Sequence, residues 1–359
     1  MTIEIVDVPV PERWDDDSAD ARLLRAWIDV RNRVSEHEWD GDTSHALSYR
    51  EAWSQWRAAA ADSDSIRTLA LVDGEPAGRG RAERSLLEAQ TVAEIDALVL
   101  PQHRRRGVAR ALVDQLLERM RAQGVTSFQA WVDHRPAPGP RLAAPTGFGE
   151  VPADSPEVRM LLAYGFAIEQ IERMSELVVA TAGPALAEHL PEAERHATGY
   201  RLETWTGATP PEHRDGLAAL QARMSTDAPA AGLDHEAEAW DAARLLRYEE
   251  SQLQGGRTML WATGFDEATD AAVAFTTLVS SDIPRIWYQH NTLVHGEHCG
   301  HRLGMLVKAA NLRALLEHEP DAIVRTWNAE ENRPMLRVNE ALGFTAVCSA
   351  GAWQRKETA

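Results

Sequence analysis

Between Ile95 and Val132 the chain spells out four consecutive elements whose order admits few folds. The segment EIDALVL alternates, with Ile95, Ala97 and Val99 on one side, as a half-buried strand does. Apolar residues then recur at Ala109, Leu112, Val113, Leu116, Leu117 and Met120, the spacing of an amphipathic helix, and Gly124 stops it. VTSFQAWV reads as the next strand. Between first strand and helix lies PQHRRRGVA. A helix N-terminus offers four unpaired N–H groups and a partial positive charge. Gly107 has no Cβ, so a ligand can approach the main chain there. Together these make an anion site suited to a diphosphate.

The loop reads Arg104-x-x-Gly107-x-Ala109. It resembles the Q/R-x-x-G-x-G/A signature of the GCN5-related N-acetyltransferases, the GNAT family, where it binds the pyrophosphate of acetyl-CoA. Two rival readings are an ordinary strand–helix connection with solvated arginines and a nucleic-acid patch at Arg104, Arg105 and Arg106. The net charge of −18 argues against nucleic acid and against anionic membranes. An acidic surface attracts cationic substrates such as amines, or serves solubility alone.

A chain of 359 residues, 44% of them hydrophobic, suggests two domains of ordinary size, each with a core. Cys299 and Cys348 are too few for a disulfide scaffold or a zinc cluster, so no metal is expected and a cytoplasmic location fits. The N-terminus lacks the pattern of a signal peptide, and no apolar run approaches the ~20 residues that span a bilayer.

Residues 2–10 read as a strand, Ala19–Val34 and Tyr49–Ala61 as helices, and Asp73-Gly74 as the turn of a hairpin. After Val132 a proline- and glycine-rich stretch reads as a long loop placed to shape an acceptor pocket. Gly165-Phe166 resembles the family's turn into a closing strand, here residues 167–179. The second half repeats the pattern: helices over Pro211–Met224 and Glu236–Gln252, a hairpin over Thr258–Val279, a counterpart strand Ile286–Val294, the helix Leu303–Leu316, and Gly343-Phe344. Leu98 precedes Gly107 by nine residues, as Leu293 precedes Arg302, and Trp131 and Trp327 follow by 24 and 25. Matching order and spacing imply two copies of one fold. The expected architecture is α/β (α+β): two tandem GNAT folds, each a mixed, mostly antiparallel sheet flanked by helices, over residues 1–180 and 199–359, with a linker at 181–198. Actinobacterial mycothiol synthases resemble it in layout.

The resemblance assigns roles residue by residue. Main-chain N–H groups near Leu98 and Val99, and near Leu293 and Val294, would polarise the thioester carbonyl at a bulge in the strand. Arg104, Arg105, Arg106, Gly107, Val108 and Ala109 would hold the pyrophosphate. In the second copy the loop reads Cys299-x-x-Arg302-x-Gly304, so a side chain replaces the central glycine, with Gly300 and Gly304 beside it. Asn328 and Asn332 match family asparagines that contact the pantetheine arm; helix capping is their alternative. The family's usual tyrosine acid is missing, since Leu161 and Asn339 stand at its positions; Tyr164 lies one helical turn away. Glu94, Asp96 and His290 are candidate bases. His37, Glu38, Trp39, Asp40 and Asp42 in the first copy, and Met224 and Asp227 in the second, are candidates for the acceptor wall. The expected activity is direct transfer from acetyl-CoA to a small amine, a cationic one if the acidic surface steers it. The alternatives are an acyl-CoA-binding sensor and a transferase of another acyl group in a biosynthetic pathway. Neither nucleic-acid nor membrane partners are expected, and the chain would be a monomer or homodimer.

Overall fold

The computed structural model of the chain describes residues 2–357. It opens with β1 (Ile3–Asp7), α1 (Ala19–Glu38), α2 (Tyr49–Ala59), β2 (Ser63–Val72), β3 (Glu75–Ser85) and β4 (Val92–Val99). Then come α3 (Val108–Ala122), β5 (Ser127–His134), a small hairpin of β6 (Arg141–Ala143) and β7 (Glu150–Pro152), α4 (Pro156–Ala163) and β8 (Ala167–Val178). Helix α5 (Gly183–His196) leads into β9 (Tyr200–Thr206), α6 (Arg214–Asp227), α7 (Ala242–Gln254), β10 (Met259–Asp266), β11 (Ala272–Ser280) and β12 (Ile286–Val294). The chain ends with α8 (Leu303–His318), β13 (Ile323–Ala329), α9 (Arg333–Ala341) and β14 (Thr345–Lys356).

Local chemistry explains most boundaries. Ser18, Ser48 and Ser155 cap α1, α2 and α4 by accepting from main-chain N–H groups three residues on. Asp73 and Gly74 both take positive φ, the tight turn that suits the twist of the β2–β3 hairpin. One expected helix is shorter than its periodicity suggests. Residues 236–241 form no regular element, because Asp241 caps α7 through the Arg244 N–H and the preceding segment crosses to the first half. There the Ala89 N–H donates to Glu236 and the Ala239 N–H to Glu88, at 2.8 Å each.

All long strands join one twelve-stranded sheet in the order β1-β2-β3-β4-β5-β14-β8-β13-β12-β11-β10-β9. Only β4/β5 and β12/β13 are parallel. The two halves are therefore tandem copies, but they exchange their closing strands. β14, the last strand of the second half, pairs with β5 of the first, while β8 pairs with β13 of the second. β14 and β8 then pair with each other at the centre. The stretch expected to close the first half thus lies one strand further on. Helix α5, within the segment read as a linker, buries Leu186, Leu190 and Ala193 in the core around α8. Helices cover both faces: Leu69 packs under α1 and α2, and its neighbour Ala70 under α3. Among the described residues no helix is long and apolar enough to cross a membrane.

A candidate active site at a splayed pair of strands

Parallel β4 and β5 pair only where Val92–Glu94 meet Ser127–Gln129, and then diverge. A cavity of about 770 Å³ fills the gap. Its walls come from α1, α3, α4 and the loop after β5, and Tyr288, Arg325 and Trp327 of the second half extend it. That loop, through Arg135, Pro138 and Asp154 among others, does line the cavity. β12 and β13 diverge in the same way after Tyr288 and Arg325.

The arginine loop reaches the first cleft through Arg104, which lines it. Gly107 is the N-cap of α3 with φ +86°, no side chain caps the helix, and a Cβ there would meet nothing within 4 Å. Val108 is buried, which anchors the first turn. Arg104 does not reach outward: its Nε donates to the Val99 carbonyl and its Nη2 pairs with Glu38 at 2.8 Å. Arg105 and Arg106 are exposed and form no ion pair with any described residue. The second loop repeats the backbone. Arg105 and Gly300 have positive φ at one position, and Gly107 and Arg302 at the other. Arg302 swings away to pair with Glu192 of α5 at 3.0 Å, so no side chain caps α8 either. An exposed, uncapped helix start flanked by two free arginines fits a diphosphate, and the cleft behind it fits a pantetheine arm.

The remaining candidates divide. The expected bulge is not in β4, whose register with β3 is unbroken. It occurs in β12, where His290 and Asn291 share one partner position, ahead of Leu293 and Val294. Ala109 and Gly304 sit in the first turns of α3 and α8, and Leu98 lines the cavity. Asn332 caps α9, accepting from the Met335 N–H, and the Asn328 side-chain oxygen accepts from the Asn339 amide at 2.7 Å. Tyr164 lines the cavity, but its hydroxyl donates to Asp114 at 2.8 Å; burial and that bond push it up to about 12. Asp96 also lines the cavity and is held by Arg79 at 2.6 Å. Glu94 lies outside the lining, 3.5 Å from Arg81, and burial raises its pKa. His290 bonds the Tyr248 hydroxyl at 2.7 Å, and burial with nearby Arg257 lowers it to about 3. His37, Glu38 and Trp39 do face the cavity. Asp40 pairs with Arg135, and Asp42 caps a short turn. Met224 packs in a separate core, and Asp227 pairs with Arg223.

Three groups in the cavity wall carry no mark in the sequence. Asp133, on β5, receives only a long 3.4 Å bond from Trp327, and burial raises its pKa. Its neighbour His134 points to the opposite face, is kept neutral by burial, and has a buried Nε2 without a partner. Arg31, on α1, uses only Nη1, on the Asn32 side chain and the His45 carbonyl. The one available signal was alternation, since Asp133 shares a strand face with Trp131.

Behind Asp133, Glu172 of β8 is pushed up to about 7, first by burial and then by Asp133 and Glu331. In the unfolded chain it titrates near 4.5. Between these values the folded state binds more protons, so stability falls as pH rises from about 4.5 through 7. Glu172→Gln mimics the protonated form and is expected to remove that fall. Its melting temperature should exceed that of the native chain at pH 8 but not at pH 4.5, by an amount worth roughly 2 kcal/mol. Melting curves over pH 4.5–8 measure it.

An exposed, uncapped helix start beside a cleft between diverging parallel strands is the arrangement of an acyltransferase with the GNAT fold. Residues 26–139 match the profile of the acetyltransferase (GNAT) family. Over its whole length the chain resembles a tandem GNAT protein from the clavulanic acid biosynthesis pathway, with 25% identity, a TM-score of 0.77, and 100% and 99% of the two chains covered. A GCN5-related N-acetyltransferase from Sphaerobacter thermophilus has the same fold at 13% identity and a TM-score of 0.61, covering 99% and 95%. No curated protein sequence matches significantly. Residues 26–139 are thus a GNAT acetyltransferase domain, and the chain as a whole has the fold of a tandem GNAT protein.

Proposed function

We propose that the first half, residues 1–180, transfers an acetyl group from acetyl-CoA directly to a small amine, with the second half, residues 199–359, walling the acceptor lobe. One observation carries this: Leu98 and Arg104, which flank the turn into the uncapped start of α3, line the same cavity as Asp133 and Arg31. When bound, acetyl-CoA supplies the acyl thioester. The α3 amides, with Arg105 and Arg106, hold its diphosphate, and Leu98 and Val99 border its thioester. The amine nitrogen forms the new C–N bond as the C–S bond breaks. Asp133 takes the proton released from nitrogen, helped by its raised pKa. The departing thiolate takes its proton from solvent, because the Tyr164 hydroxyl, which also lines the cavity, is engaged by Asp114 and its raised pKa makes it a weak donor.

Acetyl-CoA is expected to raise the melting temperature. At a ligand concentration one hundred times Kd the gain is about 2.7 kcal/mol. Differential scanning fluorimetry, paired with thiol release over an amine panel, tests both steps. No shift at millimolar acetyl-CoA would sink the reading. Leu161 lining the cavity at the family's acid position favours a second reading, an acyl-CoA-binding protein without turnover. Binding without thiol release over the whole panel would support it. Comparing acyl-CoA chain lengths separates a transferase of another acyl group, such as one serving a biosynthetic pathway.

A further inference from the structure

The cavity holds five arginines, and four of them are answered. Arg79 pairs with Asp96, Arg104 with Glu38, Arg135 with Asp40 and Arg325 with Glu176, each at 2.6–2.8 Å. Arg31 has no carboxylate partner among the described residues, and its Nη2 and Nε make no hydrogen bond with them. Asp133 is its opposite. It lies in the same cavity, forms no ion pair, and has only the Trp327 indole at 3.4 Å. The two feel each other's charge without pairing. Asp154 and Glu157 elsewhere in the lining also form no ion pair among the described residues, but of the carboxylates whose charge Arg31 feels, Asp96 and Glu51 are paired with Arg79 and Arg257 and Asp133 alone is left unanswered. A purely cationic amine would satisfy Asp133 and be repelled by Arg31. A purely anionic ligand would do the reverse. Tyr288 and Trp327 stack 6.2 Å apart at an interplanar angle of 26° and give the lobe an aromatic wall.

We propose that the acceptor is a free amino acid, its carboxylate gripped by the unused edge of the Arg31 guanidinium and its amine set against Asp133. This rests on the transferase reading above and narrows its acceptor. A guanidinium edge matches a carboxylate with two parallel N–H···O bonds, which an ester or amide cannot accept equally.

The test uses the full chain with saturating CoA. The probes are the twenty proteinogenic amino acids, β-alanine and γ-aminobutyrate, each against its methyl ester, with thermal stabilisation as the binding readout and thiol release from acetyl-CoA as the turnover readout. At least one free amino acid should stabilise the protein and be acetylated with kcat/KM about 100-fold above its ester. In Arg31→Gln that acid-to-ester ratio should fall at least tenfold, through KM more than kcat. Arg31→Lys should recover part of it, since the charge stays and the fork is lost. An unchanged CoA-induced shift in both variants reports that they are folded. Equal or better binding of the esters, or no amino acid that stabilises the protein, overturns the proposal. If CoA itself does not bind while an amino acid does, the transferase reading fails and the amino-acid site stands. If CoA binds and the esters win, only the amino-acid site fails.

Discussion

Gly107→Glu is expected to abolish acetyl-CoA binding in the first half while leaving the chain folded. Gly107 sits at φ +86° with open space where a Cβ would go. The twin position is occupied by Arg302 at φ +55°, so this fold accepts a side chain on a left-handed residue here. The backbone cost is about 1–2 kcal/mol, small against the stability of a core spread over both halves. The effect on the ligand is larger. A carboxylate at the N-cap takes up the free N–H groups of the first turn and places a negative charge where a phosphate would lie. At least a 100-fold loss of affinity is expected, about 2.7 kcal/mol. Isothermal titration reads affinity and stoichiometry together. If the second loop binds too, one weak site should remain, since the α8 start is uncapped and Arg302 is engaged with Glu192. Unchanged affinity and stoichiometry in Gly107→Glu would show that α3 does not hold the diphosphate.

The loop was legible because its chemistry is local. A strand alternation, a glycine and a helical spacing fix Gly107 as an N-cap without reference to anything distant. The alignment of Gly107 with Arg302 rested on spacing, and the matched positive φ values show that the two loops share one backbone. Bulges and neighbours are different matters. Nothing in EIDALVL distinguishes an unbroken strand from the bulged IWYQHNTLV, where Gln289 reaches back to the Thr277 carbonyl and two residues crowd one partner. Alternation sets which face a residue takes, and not which strand lies beside it. The strand exchange was therefore invisible, and with it the reason that Tyr288, Arg325 and Trp327 reach a cavity built mainly by the first half. Arg31 and Asp133 were missed for a related cause. One is among 35 arginines and the other among many carboxylates, and only the packing shows that neither has a counter-ion.

The exchange carries the second large expectation: the halves should not fold apart. Cut between Thr181 and Ala182, the first fragment would hold β5 and β8 without the strand that lies between them. β14 contributes an eight-residue register to β5, from Ser349 with His134 to Lys356 with Ser127, and a longer one to β8. Trp353, fully buried, sits in the core of the first half although it belongs to the second. Each fragment would expose central strands with apolar side chains on their faces, an edge that invites aggregation. The expected result is insoluble 1–181 and insoluble 182–359 when expressed singly, and a soluble complex when they are co-expressed. In the intact chain, calorimetry should give one transition whose calorimetric and van't Hoff enthalpies agree. Trp353→Ala, costing about 3–5 kcal/mol, should lower that single transition as a whole. Two resolved transitions, or a monomeric folded 1–181, would mean that each half owns its closing strand in solution. The exchange is also what gives the acceptor lobe its wall, because β14 and β8 join β5 to β13 and β12 in one continuous sheet. A fragment that folded alone would lack Tyr288 and Trp327, so solubility and acceptor binding should be lost and regained together.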